Sequence, residues 1–112
     1  MSRDDAAILD ALRACRLTVN FCAGMDEAAF LNDLKTQSAV LHQLLLLGEG
    51  VKRLSEGFRQ SHAEVPWRVI ARMRDKPIHE YDEVDLQEVW KTTERDIPEL
   101  IGLLEPLAKP KT

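Results

Sequence analysis

The chain has 112 residues, of which 45% are apolar and only 5% aromatic, and it carries a net charge of −4. That length suits one domain over residues 1–112, and the apolar share excludes a disordered chain. Its longest apolar stretch, residues 40–48, is interrupted by His42 and Gln43 and falls short of the roughly 20 residues a membrane span needs.

Met1-Ser2-Arg3-Asp4-Asp5 has neither the basic start nor the apolar core of a signal peptide, so a cytoplasmic protein without membrane association is expected. The acidic balance argues weakly against a non-specific DNA binder. A chain this small buries roughly 60–70% of its extended surface, so a dimer interface would be a natural addition to its core.

Ile8, Leu12, Cys15 and Val19 recur at steps of four, three and four, which predicts a first helix over about residues 4–22. Cys15 and Cys22 lie about 10 Å apart on it, too far for a disulfide within the helix. Both read as small buried hydrophobes. Gly24 ends the helix, and Asp26 can cap a short extra helical turn through Ala28–Leu31.

Val40, Leu44, Leu47, Val51, Leu54 and Phe58 keep the same spacing, so a long central helix is expected over roughly residues 34–59. Leu41, Leu45 and Gly48 widen its apolar face. Gly48 and Gly50 each cost up to about 1 kcal/mol in a helix interior. Close approach of another helix is the expected compensation. Gly48-Glu49-Gly50 lacks the Lys-Ser/Thr ending and the preceding strand of a phosphate loop. His42 reads as a helix-surface residue and His62 as a loop residue.

Residues 61–65 form a connection. Pro66 suits a first helical position, and Trp67, Ile70 and Met73 continue a third helix. Asp85 is a cap for the last helix, with Glu88 placed to reach back to it. That helix carries Leu86, Val89, Trp90, Ile97, Ile101 and Leu104. Pro98 leaves the Glu94 carbonyl without its usual donor, so a bend or local break is expected there. The tail, residues 108–112, is expected to fray. No strand pattern or repeat is present, and the fold class is all-α: an antiparallel helical bundle of four main helices.

The chemistry concentrates in Arg74-Asp75-Lys76-Pro77-Ile78-His79-Glu80-Tyr81. Upstream, Lys52, Arg53, Arg59, Arg68 and Arg72 make residues 52–74 basic, and a local basic surface and an ordinary solvated face are both open readings. Arg74 and His79 are separated by about 140° and 7.5 Å on an ideal helix. They share no face unless Pro77 distorts the chain or a two-fold dimer brings two motifs together. Asp75 is four residues from His79 and can orient it. A histidine that moves protons near neutral pH, beside an arginine that clamps phosphate charge, suits phosphodiester cleavage without metal. A 2′-hydroxyl nucleophile would restrict the substrate to RNA. Against this, a lone histidine at a helix end is most often a cap or surface group. The other histidines form no metal-ligand spacing, and no cofactor is implied.

Arg74-x4-His79-x-Tyr81 resembles the Arg-x4-His-x-Tyr motif of the HepT-like proteins of the HEPN superfamily. The similarity spans nearly the whole chain. It includes Gly48-Glu49 followed by Val51–Ser55, Val65-Pro66-Trp67-Arg68-Val69-Ile70-Ala71, Met73-Arg74-Asp75, Val84-Asp85, Val89-Trp90 and Asp96-Ile97-Pro98. The resemblance implies a HEPN-like helical homodimer that acts as the ribonuclease toxin of a type VII-like toxin–antitoxin pair. It implies that Arg74 and His79 are the catalytic pair, with Asp75 at the polar position beside the arginine. Tyr81 matches the tyrosine to which an MntA-like nucleotidyltransferase antitoxin adds AMP. Arg68, Arg72 and Lys76 are candidates for RNA contact. A non-catalytic RNA- or nucleotide-binding dimer is the alternative. Two departures stand out: Pro77 replaces the family's leucine or other non-proline residue, and Gly50 replaces the usual alanine.

Overall fold

Ser2 opens the first helix, α1 (Arg3–Phe21): its hydroxyl accepts from the Asp5 N–H at 3.0 Å, and the Asp5 carboxylate accepts from the Ser2 N–H at 3.3 Å. These bonds satisfy two of the orphan donors at a helix start. The computed structural model describes residues 2–79 and 85–108, and for residues 74–79 it describes the helical backbone alone. Among the described residues all regular structure is helical.

Gly24, at φ 78°, turns the chain after α1, and Asp26 caps α2 (Glu27–Leu31) by accepting from Ala29 N–H at 2.9 Å. Asp33 caps α3 (Leu34–Lys52) through Thr36. The buried Gln37 amide fastens α3 to the end of α2 by donating to the Phe30 and Leu31 carbonyls. Phe30, fully buried, meets Trp90 at 5.4 Å between ring centroids.

The central helix is shorter than its hydrophobic spacing predicts. It ends at Lys52, and Phe58 belongs to a separate helix, α4 (Glu56–Ser61). The cause lies in α1. In a continuous helix the Ser55 N–H would bond the Val51 carbonyl; instead it donates to Asp4 Oδ1 at 2.7 Å. The Ser55 hydroxyl donates to Asp4 Oδ2 at 2.8 Å and accepts from Phe58 N–H at 3.2 Å, which makes Ser55 the cap of α4. The Val51 carbonyl takes the nearer Leu54 N–H, tightening the last turn of α3.

Pro66 lies one position before α5 (Trp67–His79), where its carbonyl accepts from Ile70 N–H. The Trp67 indole donates to the carbonyls of Arg59 and His62, at 3.2 and 2.9 Å, and so ties α4 to the start of α5. His62 is more than a loop residue. It caps the C-terminus of α4 and packs its ring on Phe58 at 4.6 Å.

Asp85 caps α6 (Leu86–Lys91) as expected, accepting from the Gln87 and Glu88 N–H groups. The Glu88 carboxylate lies 3.5 Å from Lys91. The expected last helix then runs on without a gap but changes its hydrogen-bond pattern ahead of Pro98. Residues Thr92–Asp96 form a π-helical turn, in which Ile97 N–H donates to the Thr92 carbonyl, before α7 (Ile97–Ala108) begins. Pro98 thus lies inside a continuous helical run, directly after the π turn, which is where the i→i−4 ladder is already altered and a missing N–H is tolerated.

α3 packs between α1 and α5, and α1 packs between α3 and α7. The start of α1 meets the end of α3 through Asp10–Arg53 at 2.7 Å and Asp4–Ser55, so these two helices run antiparallel. Ile8, Leu47, Ile70, Ile97 and Leu104 fill the core between the layers. The four main helices of the sequence reading are therefore α1, α3, α5 and the continuous run of α6, the π turn and α7. Among the described residues the extra elements are two short helices, α2 and α4, rather than one short turn.

Candidate nucleic-acid site

The chemistry-bearing run sits at the far end of α5, so its placement begins with the way that helix is held. Trp67 and Ile70 are buried against the core, and Met73 is half-buried on the same side. Arg68, Val69 and Arg72 are exposed, and Val69 keeps 51% of its surface. Among the described residues neither Arg68 nor Arg72 has an ion pair or side-chain hydrogen bond. Arg53 and Arg16 differ, being paired with Asp10 and Glu105 at 2.7 and 2.8 Å.

α5 continues through Pro77 to His79, so the proline does not end it. At about 100° per residue, position 79 falls within about 20° of both positions 68 and 72. Position 74 instead continues the line of Trp67 and Ile70. The catalytic candidates Arg74 and His79 therefore occupy different sides of one uninterrupted helix, about 140° apart. The side chains of Arg74, Asp75, Lys76 and His79 lie outside the described residues, as does Tyr81 altogether.

The basic run of the sequence does not form one surface. Arg53 turns toward α1 and Asp10, Arg59 is half-buried on α4, and Arg68 and Arg72 point outward from α5. Among the depressions in the surface of the described residues, two that escaped the sequence reading bear on where a polyanion could bind. One, between α1 and α3, is lined by Asp10, Arg13, Gln43, Leu46 and Arg53. Charges of both signs line it and partly neutralise each other, which does not suit a polyanion. The other lies beside Trp90, Thr93 and Pro98, with Asp26, Glu27 and Glu94 around it, and its carboxylates repel phosphate. No local sequence pattern announces either, because each draws on elements far apart in the chain.

Cys15 is fully buried and unpaired, and burial pushes its thiol up to about 12. Cys22 is shifted upward for the same reason. Neither is a reactive thiolate at neutral pH. Among the described residues no three His, Cys, Asp or Glu side chains are grouped to hold a metal ion, and no helix is long and apolar enough to cross a membrane.

Comparison with known proteins identifies the family. Residues 11–107 match the family described as Ribonuclease HepT-like. A Thermococcus cleftensis protein named "Probable ribonuclease HepT" is 44% identical over 89% of this chain and 91% of its own length. "Putative RNase TTE0752" of Caldanaerobacter subterraneus subsp. tengcongensis is 39% identical over 80% of each chain. "Putative RNase MJ0127" of Methanocaldococcus jannaschii is 36% identical over 93% of this chain and 86% of that one. No solved structure gives a significant match. The helical bundle, the Arg74-x4-His79-x-Tyr81 run within the matched segment and these relatives together place the chain in the HepT-like ribonuclease family.

Proposed function

We propose that the protein is a metal-independent endoribonuclease, the toxin of a type VII-like toxin–antitoxin pair, with Arg74 and His79 as its catalytic pair. The family match over a segment that contains both residues carries this reading. The reaction is transesterification. The ribose 2′-oxygen attacks the adjacent phosphorus, the bond to the 5′-oxygen breaks, and a 2′,3′-cyclic phosphate and a 5′-hydroxyl form. His79 takes the 2′-hydroxyl proton or gives one to the leaving oxygen, and Arg74 stabilises the charge on the phosphoryl oxygens. Asp75, one helical turn before His79, orients the imidazole.

The continuity of α5 supports a homodimer as the working unit. With positions 74 and 79 about 140° apart on an unbroken helix, a two-fold axis is the simpler way to set an arginine against a histidine. Tyr81 is the point of control. Its phenolic oxygen attacks the α-phosphorus of ATP on an MntA-like nucleotidyltransferase, and pyrophosphate leaves. The added AMP brings negative charge and bulk beside His79, which repels the RNA backbone.

Purified protein is expected to cut RNA in the presence of a chelator and to leave cyclic or 3′-phosphate ends, with activity lost in His79→Ala. Cleavage by His79→Ala at the parent rate would remove the assignment. RNA binding that depends on Arg74 without turnover would instead favour the non-catalytic dimer. Incubation with the nucleotidyltransferase and ATP should add the mass of AMP to the wild type and not to Tyr81→Phe.

A further inference from the structure

Arg68 and Arg72 stand out among the arginines of this surface. Both are exposed, and among the described residues neither is engaged by a carboxylate or carbonyl. Among the described residues no contact requires a guanidinium at either position. The helix aligns them with position 79, from which they stand about 10.5 and 16.5 Å along the axis. Val69, beside them and half-exposed, offers an apolar contact. Unpaired guanidiniums are strong phosphate ligands, and an apolar neighbour suits a ribose or an unstacked base, which a single strand presents and a duplex hides.

We propose that Arg68, Val69 and Arg72 form a track for single-stranded RNA that leads along α5 to position 79. The protein then selects strands that extend past the cleaved bond far enough to place two further phosphates on this helix. The inference rests on RNA being the substrate, and it adds a length requirement and a direction to that reading. It also gives the exposed face of α5 a role separate from the reacting pair.

The test is fluorescence anisotropy with labelled 2′-O-methyl RNA, which lacks the attacking hydroxyl, as a dinucleotide and as a dodecanucleotide. Wild-type affinity should rise with length. The Arg68→Gln/Arg72→Gln double variant should lose that rise, binding the longer strand roughly 10-fold or more weakly. Its slope of log affinity against log salt should fall by about 1.4, two phosphates at about 0.7 each for a single strand. Arg68→Lys/Arg72→Lys should recover most of the salt slope. Equal affinity and slope in wild type and the Gln variant would overturn the track, as would an equal loss at both lengths. A thermal melt of each variant shows whether it is folded. If the wild type fails to cut unmodified RNA, the nuclease reading falls, while the binding series still decides the track.

Discussion

Gly50 lies in the last turn of α3, buried against α1. A Cβ built at this position would lie 3.5 Å from the Ala7 carbonyl oxygen, 3.7 Å from Ala11 Cβ and 3.7 Å from Ala11 N. These are ordinary contact distances, and the backbone there does not require positive φ. Gly50→Ala should therefore recover most of the helix-propensity difference, about 0.5–1 kcal/mol, with a few tenths more from burying one methyl. Unfolding entropy of about 2.1 cal/mol/K per residue makes 1 kcal/mol worth about 4 °C in a chain this long, so Tm should rise by about 2–5 °C. Differential scanning calorimetry at one fixed protein concentration removes any contribution from association. Gly102→Ala supplies the reference. Gly102 lies exposed in α7 with nothing within 4 Å of an added Cβ, so it reports propensity alone. Gly24→Ala should lower Tm, because φ is 78° and only strain is added. A fall in Tm for Gly50→Ala alongside a rise for Gly102→Ala would refute the reasoning and show that α1 has no room for the methyl.

Other expectations can be checked by chemical or thermal unfolding. Trp67→Phe keeps an aromatic ring in the core but removes the indole N–H from the Arg59 and His62 carbonyls, which keep the backbone donors of His62 and Val65, and should cost about 1 kcal/mol by urea denaturation. Thr93 has a buried hydroxyl with no hydrogen-bond partner among the described residues, so the near-isosteric Thr93→Val should stabilise by about 1 kcal/mol or more. The backbone and side-chain hydrogen bonds from Ser55 hold Asp4 below its ordinary value of 3.8. Its contribution to stability is thus complete above about pH 4 and is lost as pH falls through the lowered value. Asp4→Ala should lower Tm at neutral pH and flatten its decline with acid. An equally steep decline in the variant would deny Asp4 that role.

Much of this architecture follows from local pattern. The apolar spacing of residues 8–19 and 40–51, and of 97–104, predicts the helices that form the core. Asp26 and Asp85 cap the helices they precede, because an acidic side chain before an apolar run has backbone N–H groups within reach. The candidate run at residues 74–81 could also be read as the end of a helix, with its arginine and histidine on different sides, since helical geometry requires no partner to specify it.

Tertiary contact decided the rest. The spacing from Leu34 to Phe58 predicts one helix, yet Asp4, more than 50 residues before Ser55 in the chain, takes the N–H that would have continued it. Pro98 predicts a bend or local break beside the Glu94 carbonyl, and the folded chain takes it up as a π turn over Thr92–Asp96 within a continuous helical run. The basic run looks continuous in sequence, but partners set its meaning. Asp10 engages Arg53, while Arg68 and Arg72 stay exposed beside buried Trp67 and Ile70. Hydrophobic periodicity and capping act within a few residues, so a sequence exposes them. Which donor meets which acceptor across the bundle depends on the packing of helices that are distant along the chain.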